Sequence, residues 1–177
     1  MTTVSFLARR LFGFGAGVSM ALVFAIIFIN SLRRYTVGES VAWGEELPIY
    51  LTIYGVMFGV ALAYVQDRHI RFTIFTDFAS RKTRERLFAV VDLGTIAAGL
   101  GLAVSGYEFA TRRGHVAASG LRSTGRWLVE TTGLEWLGWI AKVGTWQSAM
   151  AIGGAMLALA AFVRLMERIS ENRAVAA

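Results

Sequence analysis

Residues 11–32 read LFGFGAGVSMALVFAIIFINSL, twenty-two residues without a charge, held between Arg9-Arg10 and Arg33-Arg34. At 1.5 Å per residue this stretch forms a helix of about 33 Å, the thickness of a bilayer's hydrocarbon core. Three more stretches repeat the pattern at residues 47–66, 87–107 and 143–163, the third interrupted only by Asp92. The pattern predicts an all-α membrane protein with four transmembrane helices, forming one domain over residues 1–177.

Composition agrees. With 55% hydrophobic residues and a mean hydropathy of +0.54, the chain has too little polar sequence to coat a soluble globule around four such segments. The formal charge of +6 does not point to nucleic acid, because the 18 Lys and Arg gather at the ends of the apolar stretches and form no single stripe. Membrane lipids are the expected neighbours of those charges. With no cysteine, thiolate metal sites, disulfides and cysteine nucleophiles are excluded.

Arg9-Arg10 followed by Leu11-Phe12 resembles the start of a twin-arginine export signal, yet the apolar run exceeds a signal core of about 7 to 15 residues and no Ala-x-Ala site follows. A retained first membrane helix is expected. The connection between the second and third spans, with Arg68, Arg71, Arg81, Lys82, Arg84 and Arg86, is the most basic, which predicts both termini on the cytoplasmic side. Trp43, Trp127, Trp136, Trp139 and Trp146 all fall toward the opposite side, as an aromatic belt or as a docking surface for an external protein.

Small residues recur every four positions in Gly13-Gly17-Ala21, Gly55-Gly59-Ala63, Ala97-Gly101-Ser105 and Gly154-Ala158, spacings that let helices approach closely within the chain or against another subunit. Two interfacial amphipathic helices are also expected. One follows from Phe72, Phe75 and Phe78 on the inner side, the other from Trp136, Leu137, Ile140 and Val143 on the outer side.

Chemistry within a membrane requires ionisable groups at depth, and Asp92 is the one carboxylate inside a span. Its position predicts a water-facing or partner-facing group near the inner boundary, with a proton or ion site as the alternative. Glu45 and Glu46 precede Pro48 at the start of the second span, where carboxylates complement the positive helix end, so capping or pairing with a cation of a neighbouring subunit is expected of them. His69 and His115 follow spans that end on opposite sides, which argues against a shared haem iron. No catalytic, cofactor or metal residues emerge.

Asn30, Arg34, Tyr35, then Trp43, Glu45 and Glu46, then Gly59, and finally His69, Arg71 and Asp77, in this order around two spans, resemble the small membrane subunit (DctQ type) of tripartite ATP-independent periplasmic (TRAP) transporters. One departure is the absence of proline between Arg112 and Lys142, where that family often has a short proline-containing connection.

The resemblance implies a non-catalytic, multi-pass subunit of the bacterial inner membrane. It would brace a large membrane subunit that carries sodium and an organic acid delivered by a periplasmic binding protein. The residues that carry the resemblance, with Asp92, become candidates for subunit contacts or structural roles, and sodium is expected to be bound by the large partner. An autonomous homo-oligomeric transporter or channel is the alternative. It would need a polar stripe along one span, for which only scattered Thr52, Thr95, Ser105 and Ser148 are available.

Overall fold

A computed structural model of the chain describes residues 3–66 and 80–176. Helix α1 spans Thr3–Val37, α2 Glu46–Val65, α3 Arg81–Arg113, α4 Arg122–Thr132 and α5 Val143–Ala176, with a 3-10 helix at Glu135–Ala141 between α4 and α5. Four of these, α1, α2, α3 and α5, are long and apolar enough to cross a membrane. The amphipathic segment around Phe72–Phe78, together with His69, Arg71 and Asp77, lies outside the described residues.

Helices α1, α3 and α5 outrun the apolar stretches that announce them. Arginines bracket the uncharged residues of α1 but do not break the helix, because a charged side chain at a membrane boundary still leaves the backbone ladder intact. What stops α1 is Gly38, in a left-handed conformation (φ 81°) with its N–H on the Arg34 carbonyl at 3.2 Å. At its start, α3 is capped by Ser80, whose Oγ accepts from the Thr83 N–H at 3.3 Å.

Packing follows the order α1, α2, α5, α3, each helix resting mainly on the next. Helices α1 and α3 are therefore the outer members, with only 11% of each apolar span buried, against 44% for α5. Phe12 of α1 inserts among Ala61, Tyr64 and Val65 of α2 and Ala160 and Ala161 of α5 to form the main apolar core. Alanine dominates this core because close backbone approach substitutes for the hydrophobic drive that lipid surroundings remove.

The tightest approach is between α3 and α5, and it uses a different face of α3 from the stripe at Ala97, Gly101 and Ser105. A side-chain carbon on Gly99 would meet the Ala158 nitrogen at 2.7 Å and the Gly154 carbonyl at 2.9 Å, and one on Gly106 would meet the Ala151 nitrogen at 2.5 Å. The buried positions of α3 are thus Asp92, Gly99 and Gly106, seven residues apart, while Ala97, Gly101 and Ser105 face outward. On α2 the expected stripe is closed at Gly55, against Ser19 and Met20, but Gly59 faces open space; Gly17 on α1 does likewise. Gly154 and Ala158 pack as expected, both buried.

The connection between α3 and α5 also differs from expectation. Its tryptophan-rich part is a 3-10 helix, and an additional helix, α4, precedes it. Both ends of the connection are pinned together, with the Ala118 N–H on the Ala141 carbonyl at 2.7 Å and the Val143 N–H on the Val116 carbonyl at 2.9 Å.

Candidate functional site

The two ends of the bundle hold its polar contacts. At the end nearest the tryptophans, Glu46 opens α2 and reaches across to the α3–α5 connection. Its Oε2 accepts from the Gly120 N–H at 2.7 Å, and its Oε1 accepts from the Tyr50 hydroxyl one turn later at 2.9 Å. A side chain at Gly120 would collide with the Ala42 carbonyl at 2.5 Å, so this backbone approach demands glycine. The Tyr50 ring stacks on Trp146 of α5 with centroids 5.5 Å apart. Trp146 in turn donates from Nε1 to the Ile140 carbonyl at 2.9 Å, and Tyr54 donates to the Thr145 carbonyl at 2.9 Å.

Glu46 stands in the first turn of α2, where its charge complements the positive helix end as expected, and it also does more. The residue at the N-cap, Glu45, makes no side-chain capping bond, and Glu46 fastens α2 to the outer connection.

Beside this clasp, α1 and α2 diverge into a groove of about 470 Å³. Val23, Ile27 and Ile49 form its apolar walls, and Asn30, Ser31, Arg34, Glu45 and Thr52 supply its polar lining. Asn30 holds the groove's upper turn in place, its Oδ1 accepting from the Val41 N–H at 2.8 Å while the carboxamide lies against Gly44. The side chains of Arg34 and Glu45 are exposed and make no hydrogen bond or ion pair among the described residues. Tyr35, 89% exposed, projects from the same last turn of α1, and Trp43 is half-buried in the turn that follows.

At the opposite end, Asp92 is buried, with 1% of its surface exposed. Its Oδ1 accepts from the Tyr64 hydroxyl at 2.7 Å, and its Oδ2 lies 2.9 Å from Nε of Arg168 on α5. The Tyr64 hydroxyl is also 3.2 Å from Thr95 Oγ1, and the Arg168 guanidinium sits 4.8 Å over the Phe88 ring. A second ion pair, Arg164 with Glu167 at 2.8 Å, lies one turn away, and Arg9 donates to the Val65 carbonyl at 3.1 Å, closing the last turn of α2. Asp92 is thus turned into its own chain rather than toward water or a partner. It ties α2, α3 and α5 together, as a carboxylate in an apolar interior must be paired to stay charged.

Asp92 is legible in the sequence, whereas its partners are not. The signal that was available is the seven-residue spacing of Asp92, Gly99 and Gly106, which marks the face of α3 that turns toward α5. Among the described residues no three or more His, Asp or Glu come together in a way that could hold a metal ion. His115 is exposed beyond the end of α3.

A model of the family described as "Tripartite ATP-independent periplasmic transporters, DctQ component" matches residues 23–171. The chain is also 25% identical over 109 residues to the sialic acid TRAP transporter small permease protein SiaQ of Vibrio cholerae. That similarity covers 62% of this chain and 63% of the relative, so the matched part spans less than two thirds of the relative's length.

Proposed function

Because the chain belongs to the DctQ family of TRAP transporter components, a family of transport subunits and not of enzymes, we propose that it is the small permease subunit that braces a large membrane subunit during uptake of an organic acid. As a member with four candidate spans, it is a multi-pass protein of the bacterial inner membrane. In this reading both termini are cytoplasmic, and a periplasmic binding protein delivers the substrate. The coupling sodium ions and the substrate bind within the large subunit. The sialic acid named for the Vibrio cholerae relative is one acid of the class.

One observation carries the reading, the groove between α1 and α2. Arg34 and Glu45 stand exposed on its rim above apolar walls, and α1 has most of its span uncovered. Charges at the edge of a bilayer are costly unless water, lipid or another polypeptide meets them. A neighbouring subunit that offers an acid to Arg34 and a cation to Glu45 satisfies both, and it covers the open side of α1 at the same time. Thr52, Thr95 and Ser148 donate their hydroxyls to carbonyls of their own helix, which favours bracing over autonomous transport.

Copurification tests this directly. With the large subunit coexpressed, an affinity-tagged wild-type chain retains it, and Arg34→Glu combined with Glu45→Arg loses most of it while the variant still inserts and melts like wild type. Undiminished retention by that double variant removes the groove from the interface. Recovery of only a homo-oligomer with wild-type chain favours the autonomous transporter instead.

A further inference from the structure

The α4 helix turns its apolar side inward. Gly125 packs so closely on Ala141 of the 3-10 helix that an added side-chain carbon would lie 2.6 Å from the Ala141 methyl. On the flank of α4 beside Gly125 stand Arg122 and Arg126, one turn apart and both exposed. They border a second groove, of about 240 Å³, whose floor is made of the small residues Gly125, Gly138 and Ala141. Neither guanidinium makes a hydrogen bond or ion pair among the described residues, although Glu130 follows Arg126 by four positions.

The height of this groove is set by its surroundings. The chain leaves the membrane where α3 ends at Arg113 and re-enters where α5 begins at Val143, and the clip between residues 116–118 and 141–143 holds the intervening hairpin against those two ends. Trp127 and Trp136, both largely exposed, and the partly exposed Trp139 ring the same hairpin, as indole side chains do at the level of lipid headgroups. At that level the abundant anion is the phosphodiester of a phospholipid.

We propose that Arg122 and Arg126 form a binding site for the phosphodiester of a phospholipid headgroup, seated over Gly125 and Gly138. Two guanidinium forks present paired N–H donors to phosphate oxygens, and the open groove of small residues leaves room for the headgroup above the contact between α4 and the 3-10 helix. Glu130 lines the same groove, so a singly charged phosphodiester suits it better than a multiply charged anion, whose further charge would meet that carboxylate. The site thereby holds the hairpin flat at the bilayer surface, independently of any contact with a partner subunit.

Native mass spectrometry of the delipidated full chain, titrated with dioleoyl phosphatidylglycerol, tests the site. Arg122→Gln with Arg126→Gln lowers lipid affinity by about tenfold, the worth of one charge-assisted bond or more. Arg122→Lys with Arg126→Lys, keeping charge but losing the forks, lowers it by about threefold. Arg112→Gln, at an exposed arginine already paired with Glu108 at 3.1 Å, leaves it unchanged. Wild-type affinity in the glutamine variant overturns the proposal, as does an equal loss in Arg112→Gln, which marks charge alone. Unaltered lipid binding with loss of an acidic binding protein from the complex reassigns the groove to that protein.

Discussion

The two ends of the bundle are fastened by different chemistry. Near the termini, α3 and α5 are joined by the buried pair Asp92 and Arg168, with Tyr64 drawn in from α2. Near the tryptophans, the single carboxylate of Glu46 is met by neutral donors, the Gly120 N–H and the Tyr50 hydroxyl, and stacking with hydroxyl and indole bonds to carbonyls adds to it. Connectivity explains the contrast. At the tryptophan end the chain itself links α3 to α5, and only α2 has to be docked onto that link. At the other end nothing covalent holds α3 beside α5, and a charge pair in low dielectric supplies the tie.

Breaking the charged end should do the most damage. Asp92→Asn leaves Arg168 without its counter-ion and is expected to cost about 3 to 5 kcal/mol, read as a lower melting temperature of the purified chain in detergent. The comparison sharpens if Asp92→Leu is combined with Arg168→Leu. Replacing both partners by apolar groups recovers most of that loss, since no orphaned charge remains. A double variant as unstable as Asp92→Asn would mean that the pair does more than tie helices.

At the neutral end the expected losses are smaller. Glu46→Ala removes the acceptor for both Gly120 and Tyr50 and should cost about 1.5 to 3 kcal/mol, with hydrogen exchange rising first at residues 117–121. Tyr50→Leu loses the stack on Trp146 and should cost about 0.5 to 1.5 kcal/mol beyond the change in buried area, measured against the same substitution in a Trp146→Leu background. At the bottom of the scale, Arg112→Gln breaks an exposed pair with Glu108 and should shift stability by under about 0.5 kcal/mol.

The same contrast marks what could be read from the sequence. Four spans were legible because charge bracketing and span length follow from bilayer thickness. The true helix ends were not, since hydropathy reports contact with lipid whereas a helix ends where its backbone ladder does, at Gly38 or Ser80. On α3 small residues occur on every side, so four-residue spacing singled out Ala97-Gly101-Ser105, and the buried face through Asp92 went unnoticed.

Partners distant in sequence left no local trace. Glu46 meets Gly120 across 74 positions and Tyr64 meets Asp92 across 28, so the residues were visible and the pairings were not. Helix α4 was missed for another reason. Its N-cap is Leu121, which offers no side-chain cap, and only Gly133 after its last turn announces it.

Reconstitution measures the central claim, that this subunit braces a transport machine whose cargo sites lie elsewhere. Vesicles holding the chain alone, given a sodium gradient, an organic acid and the binding protein, should take up no more acid than empty vesicles, and adding the large subunit should switch uptake on. Gradient-dependent accumulation by the chain alone would contradict the account.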